Sequence, residues 1–122
     1  MDTLQWLEAE AIARGMSVFA RIDHAAGAAA VGLALRPTQV LIVGNARSGT
    51  PLMQSAQTIG LDLPLKILVW QDADGSTWIS YNDPAWVAKR HELGPETSAA
   101  ISAMAAALDA ITRAAARTAI AA

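Results

Sequence analysis

The sequence predicts a domain of mixed helices and strands, with about four strands and several helices, the last of them long and rich in alanine. Three observations predict it. Gln39–Val43 is a near-continuous apolar run ending at Gly44-Asn45, the pattern of a strand buried on both faces. Leu65–Trp70 and Thr77–Tyr81 are strand-like and flank Asp74-Gly75, a strong hairpin signal. Near the C-terminus, Ile101, Met104, Ala105, Leu108, Ile111 and Ala115 fall on one helical stripe. A length of 122 residues suits a single domain over residues 1–122.

Asp2–Arg14 reads as a helix: Asp2 is a good N-cap, and Gln5 stands three residues on, as in a capping box. Leu4, Leu7, Ala11 and Ile12 make its inward stripe, Trp6 lies at the flank, and Gly15 supplies the stop. Met16–Ile22 reads as a strand, with Val18, Ala20 and Ile22 on one face and Phe19 and Arg21 on the other. Asp23-His24 ends it and can cap the next element. Ala25–Leu33 is ambiguous, because Gly27 and Gly32 each weaken an alanine helix by roughly 1 kcal/mol. A short helix ending near Gly32 is preferred.

Arg36-Pro37-Thr38 is a loop, since the residue before proline leaves the α region. After the central strand, a polar loop leads to a helix over Thr50–Ile59, with Pro51 at its first position and Leu52, Met53 and Ala56 facing inward. Gly60 ends that helix, and Leu61–Pro64 connects to the next strand. Asp72–Gly75 is a turn. Asp83 caps, and Pro84 opens, a helix to about Leu93. Gly94-Pro95 punctuates, and Thr97 or Ser98 caps the last helix, where Arg113 and Arg117 complement the C-terminal dipole.

Composition narrows the function classes. A formal net charge of -2 and a pI of about 5.5 give no electrostatic footprint for nucleic acid. The absence of cysteine removes disulfides, thiol catalysis and cysteine metal sites. No uninterrupted apolar run reaches the roughly 18 residues that span a bilayer. Met1-Asp2 opens no signal peptide. The expectation is a cytoplasmic protein without a membrane or nucleic-acid partner.

Several segments together resemble one bacterial and archaeal family. They are Phe19-Ala20-Arg21-Ile22-Asp23-His24, Arg36-Pro37-Thr38 to Gly44-Asn45, Gly49-Thr50-Pro51, Leu61-Asp62-Leu63-Pro64-Leu65-Lys66, and the hairpin from Asp74-Gly75 to Tyr81-Asn82-Asp83-Pro84. The chain is similar over most of residues 16–93 to the domain of unknown function 302 family, which carries no settled activity. The resemblance implies an α+β domain, with helices packed on a small, mostly antiparallel sheet, and a helical Ala25–Leu33. It departs at one point: members carry a strand before the first helix, whereas this chain opens on that helix's N-cap. An edge strand is then absent, or another subunit supplies one. That favours a homo-oligomer, a dimer in the simplest case, as do the alanine-rich last helix and four tryptophans.

Candidate chemistry centres on Asn45 to Thr50. Gly44 and Gly49 have the outer spacing of a phosphate loop, but Thr50 stands where the lysine belongs, which argues against a nucleoside triphosphatase. A weaker anion nest remains, with Arg47 as counter-charge and Ser48, Gly49 and Thr50 offering hydroxyl or backbone donors. The simpler alternative makes the two glycines turn residues and Thr50 an N-cap. Asp23-His24 is the only adjacent acid–imidazole pair, and His24 enters the candidate ligand set. His91 reads as a helix C-terminal histidine, and the two histidines have no metal-ligand spacing. Asp72 and Asp74 lack the remaining ligands of a calcium loop. Trp70, Trp78, Tyr81 and Trp86 can line an apolar pocket, although packing is the commoner use of such residues.

Three function classes remain. The leading one is a non-enzymatic, homo-oligomeric domain that binds a small molecule or anion at Asn45, Arg47, Ser48, Gly49, Thr50 and His24. No catalytic residue, metal or cofactor is assigned. The second is a structural or protein-interaction module that docks through Trp6 or Trp86. The third is an enzyme whose Asp23, His24 and Asn45 converge.

Overall fold

The computed structural model describes residues 2–121. Four strands, β1 (Ser17–Asp23), β2 (Thr38–Gly44), β3 (Leu65–Gln71) and β4 (Thr77–Tyr81), form one antiparallel sheet in the order β1-β2-β3-β4. Five α-helices accompany it: α1 (Thr3–Ala13), α2 (His24–Ala30), α3 (Ala46–Ser55), α4 (Pro84–Arg90) and α5 (Ser98–Ala121). Short 3₁₀ turns cover Gln57–Leu61 and Pro95–Thr97. The α+β class and the antiparallel sheet are those the family resemblance implies.

The core lies on one face of the sheet. Leu4, Leu7 and Ala11 of α1 and Leu108, Ile111 and Ala115 of α5 close over Leu41, Val43 and Ile67. Each fully buried side chain of leucine size contributes about 1.5–3 kcal/mol. The Asp2–Gln5 capping box forms and fixes the start of α1. Glu8 of α1 pairs with Arg21 of β1 beside this layer. A second cluster of Leu52, Ile59, Val87 and Ile101 ties α3, the first 3₁₀ turn, α4 and the start of α5 together.

Several local expectations are corrected. Ile12 is 56% exposed rather than inward, because the α1 contact narrows to Leu4, Leu7 and Ala11. In β1 the register shifts between Val18 and Ala20, so Val18 pairs with Val43 while Ala20 and Ile22 pair with Ile42 and Val40. Such a bulge moves later side chains to the opposite face. Val18 therefore joins the core and Ile22 is exposed. The two faces of β2 are buried unequally: Leu41 and Val43 are fully buried, whereas Val40 and Ile42 are half-buried. The helix expected over Thr50–Ile59 begins at Ala46, because the Asn45 side chain accepts the Ser48 N–H at 2.7 Å and nucleates the turn earlier. Pro51 consequently lies inside α3, where it gives no N–H to the Arg47 carbonyl.

α5 also departs from an expectation. The segment Pro95–Arg117 reaches a mean hydropathy of 1.3, long and apolar enough by length and composition to cross a membrane. Asp109 and Arg113, which pair with each other, keep it from being an unbroken apolar run. Ile101, Leu108, Ile111 and Ala115 form the buried stripe as expected, while Met104 and Ala105 are half-buried.

Three helices end in the same way. At α1, α2 and α4, paired backbone bonds close the last turn: Met16 N–H to Ala11 C=O, Leu33 N–H to Ala28 C=O, and Leu93 N–H to Ala88 C=O. This motif needs a left-handed residue after the cap. Gly15 and Gly32 supply it in the first two, but Glu92 does so in the third, at φ 55°. Glu92→Gly is therefore expected to stabilise the protein by about 0.5–1 kcal/mol, net of the extra freedom glycine has when unfolded. A thermal melt should show the midpoint rise by roughly 2–4 °C. A fall would show that Glu92 makes a compensating contact.

Candidate functional site

β2 and α3 meet at Gly44-Asn45, beside the opening of a cavity of about 480 Å³. The whole Gly44–Pro51 turn lines it, together with Leu63–Leu65 and one side of α5. Arg14 reaches it from the end of α1, and Met16 and Phe19 from the bulged β1. A Cβ on Gly44 would lie 3.5 Å from Pro64 and 3.8 Å from the Phe19 ring, so this wall is packed to ordinary contact.

Electrostatics sets this cavity apart. Arg14 and Arg47 line it, and no Asp, Glu, Lys or His does. Arg21, Arg90 and Arg113 are all ion-paired, whereas neither Arg14 nor Arg47 has a carboxylate partner among the described residues. The first N–H groups of α3, at Ala46 and Arg47, have no intrahelical acceptor, and the helix dipole adds positive potential there. The Ser48 and Thr50 side chains complete the polar rim. Much of the remaining lining is apolar, with Met53, Leu63 and Met104 among it.

The structure therefore gathers Asn45, Arg47, Ser48, Gly49 and Thr50 at one cavity. His24 is not among its lining residues: it begins α2, with the Asp23 carboxylate accepting the Ala26 N–H. Asp23 pairs with Gln39 and Ser17 with Gly44, so Asp23-His24 and Asn45 lie at opposite ends of the β1–β2 pair. Strand rise over five residues separates them by roughly 17 Å. The convergence required for an Asp23–His24–Asn45 enzyme is not present.

The aromatic residues do not converge either. Trp70 and Trp78 stack with centroids 6.1 Å apart on the sheet face away from the core, while Tyr81 packs into the core. Trp86 is exposed on α4, with the Arg90 guanidinium 6.0 Å from its ring centre. The hairpin is organised by Asp72, whose carboxylate accepts from the Asp74 and Ser76 N–H groups and from the Trp78 indole. Those bonds, the indole's foremost, hold its carboxyl below the usual range.

Sequence reasoning missed two features. Arg14, Met16 and Met104 reach the cavity from elements distant in sequence, and only the fold brings them together. Asp62, read as part of a connector, accepts from both His91 Nε2 and Arg90, the latter at 3.1 Å to each oxygen. His91 Nδ1 lies 3.1 Å from the Thr58 hydroxyl. This carboxylate–imidazole–hydroxyl chain has the order of a hydrolytic relay. None of its members lines the cavity at Asn45 or a smaller one of about 160 Å³ beside Trp70. It fastens the 3₁₀ turn to α4. The His91 hydrogen bond, assisted by Arg90, lowers the Asp62 pKa against the opposing effect of burial.

A four-stranded antiparallel meander, with two helices closed over one face and a cavity at the β2–α3 turn, defines a small α+β domain of a recognisable kind. The chain belongs to the family described as domain of unknown function DUF302, whose profile matches residues 1–111. The uncharacterized conserved DUF302 protein from Bacillus stearothermophilus has the same fold, with a TM-score of 0.83 over 93% of this chain and 88% of that one, at 21% identity. Curated relatives include a protein named fluoride-specific ion channel FluC 1 from Brucella suis biovar 1, 50% identical over 103 residues. Its namesake from Brucella abortus biovar 1 is equally similar. The match covers 84% of this chain but only 41% and 38% of those proteins, so the chain spans about two fifths of their length.

Proposed function

We propose that this chain is a non-enzymatic domain that binds a small molecule or anion in the cavity at Asn45, Arg47, Ser48, Gly49 and Thr50. One observation carries the reading. The cavity presents two guanidinium groups without carboxylate partners among the described residues, and its lining holds no carboxylate, imidazole, lysine, tyrosine or cysteine to move a proton or to activate the Ser48 and Thr50 hydroxyls. Such a lining favours retention of an anion over its conversion. The reading keeps the domain in the cytoplasm.

The same reading makes the chain a homo-oligomer, most simply a dimer. The sheet face away from the core supports this: Ile22, Val40, Ile42, Leu68, Trp70 and Trp78 alternate with the core-facing positions, and Trp78 is 52% exposed. Two such faces can stack symmetrically. A monomeric mass by light scattering at micromolar concentration would remove the oligomer from the reading.

The test of binding is a thermal-shift screen against phosphate, fluoride, nucleotides, acyl-coenzyme A and organic acids. A ligand that binds only the folded state at about a hundred times its Kd adds about 2.7 kcal/mol, roughly 10 °C here. Arg47→Ala should remove most of that shift while leaving the unliganded midpoint in place. If no ligand class shifts the wild type, the interaction-module reading takes over.

The relatives' names favour a second reading. A domain similar to part of proteins named as fluoride channels can serve such a channel as an appended or separate module. In that case fluoride, alone of the anions screened, gives the Arg47-dependent shift.

A further inference from the structure

The cavity lining combines two guanidinium groups with methionine, leucine and alanine side chains, and together they specify more than an anion. We propose that its ligand is an amphiphilic organic acid: one acidic head group on an apolar body, of the kind found in medium-chain or aromatic carboxylates. This rests on the binding reading above and gives that reading a ligand class.

The head group is assigned by charge. Arg14 and Arg47 line the cavity without carboxylate partners among the described residues, and no acidic residue lines it to attract an amine instead. Guanidinium groups match a carboxylate in shape as well as charge.

The body is assigned by the remaining walls. The chain has four methionines, and the three after Met1, namely Met16, Met53 and Met104, line this one cavity. Methionine is flexible and polarisable, and it moulds to irregular apolar ligands. α5 contributes Ala100, Ala103 and Ala107, at helical spacing along one wall. Their small side chains leave room where larger residues would fill it. An inorganic anion would use the rim and leave these walls empty. The volume of about 480 Å³ holds roughly a dozen non-hydrogen atoms at about 30–40 Å³ each.

Calorimetric titration of the full chain with butanoate, octanoate, decanoate and hexadecanoate, with decanol and inorganic phosphate as comparisons, tests this. Affinity is expected to rise about threefold to fourfold per methylene up to decanoate, and to stop rising at hexadecanoate. Arg14→Ala and Arg47→Ala should each weaken decanoate about tenfold and leave decanol unchanged. Ala103→Phe, at an exposed position of α5, should abolish decanoate binding without lowering the melting temperature of the free protein. Phosphate or butanoate binding as tightly as decanoate would overturn the amphiphile while leaving an anion site standing. Decanol binding as tightly as decanoate, unaffected by either arginine variant, would overturn the charged head group. No binding by any of the compounds would overturn this proposal, and the binding reading would then stand or fall on the thermal-shift screen of the remaining ligand classes.

Discussion

Leu108→Ala is expected to cost about 3 kcal/mol, within the 2–5 kcal/mol that buried leucine truncations show. Leu108 is 1% exposed, where α5 meets α1 and the sheet. Removing three carbons leaves a void that a sheet on one side and a helix on the other cannot easily collapse to fill. The midpoint of thermal unfolding should fall by roughly 10–15 °C. Ala106→Ser, on the exposed side of the same helix, should change it by less than about 0.5 kcal/mol. The pair distinguishes two roles for a helix apolar enough to cross a membrane. A helix that completes a core is sensitive at Leu108 and tolerant at Ala106. Equal tolerance at both positions in urea titration would mean that α5 is not bound into this core.

The second large effect lies outside the sheet core, at Asp62. Asp62→Asn should destabilise the protein by about 2 kcal/mol, since the carboxylate receives charge-assisted bonds from Arg90 and a bond from His91. Because folding lowers the Asp62 pKa, its contribution is fully present above the unfolded value of about 3.9 and is lost as pH falls through the lower folded value. The gap between wild type and Asp62→Asn should close below about pH 4. Denaturant titrations across that range measure it. A gap that persists undiminished to about pH 3 would assign the effect to shape rather than charge.

Legibility from sequence followed the range of the interaction. Where a neighbour a few residues away decides the conformation, reading succeeded: the Asp2–Gln5 box, Asp83 with Pro84, the Asp74-Gly75 hairpin and the α5 stripe are all local. Two local signals also competed, and the louder misled. Thr50-Pro51 resembles a helix start, but Asn45 caps five residues earlier and the helix absorbs Pro51. The β1 bulge was invisible, because an extra residue leaves the alternation of Val18, Ala20 and Ile22 intact on paper while dividing them between faces. The unequal burial of the two faces of β2 was missed for a related reason. Val40 and Ile42 are as apolar as Leu41 and Val43, and composition does not say which side the helices take.

The candidate site divides in the same way. Asn45 to Thr50 was legible because a strand running into a turn and a helix start is a local pattern. Arg14 and the three methionines were not, because they converge only when α1, β1, α3 and α5 have docked. Asp62 and His91 stand 29 residues apart, and neither lies in a motif that announces the other.

The closure of α1 against α5 has a consequence for synthesis. Each strand of the meander pairs with its sequence neighbour, so the sheet can assemble progressively as the chain leaves the ribosome. Its apolar floor, with Leu41, Val43 and Ile67, has no complete lid until α5 is also released, because Leu108, Ile111 and Ala115 supply half of that lid. Until then the nascent chain carries a formed but open hydrophobic surface, the kind that invites chaperones or misassociation. Docking of α5 is thus the step that commits this fold to its native state.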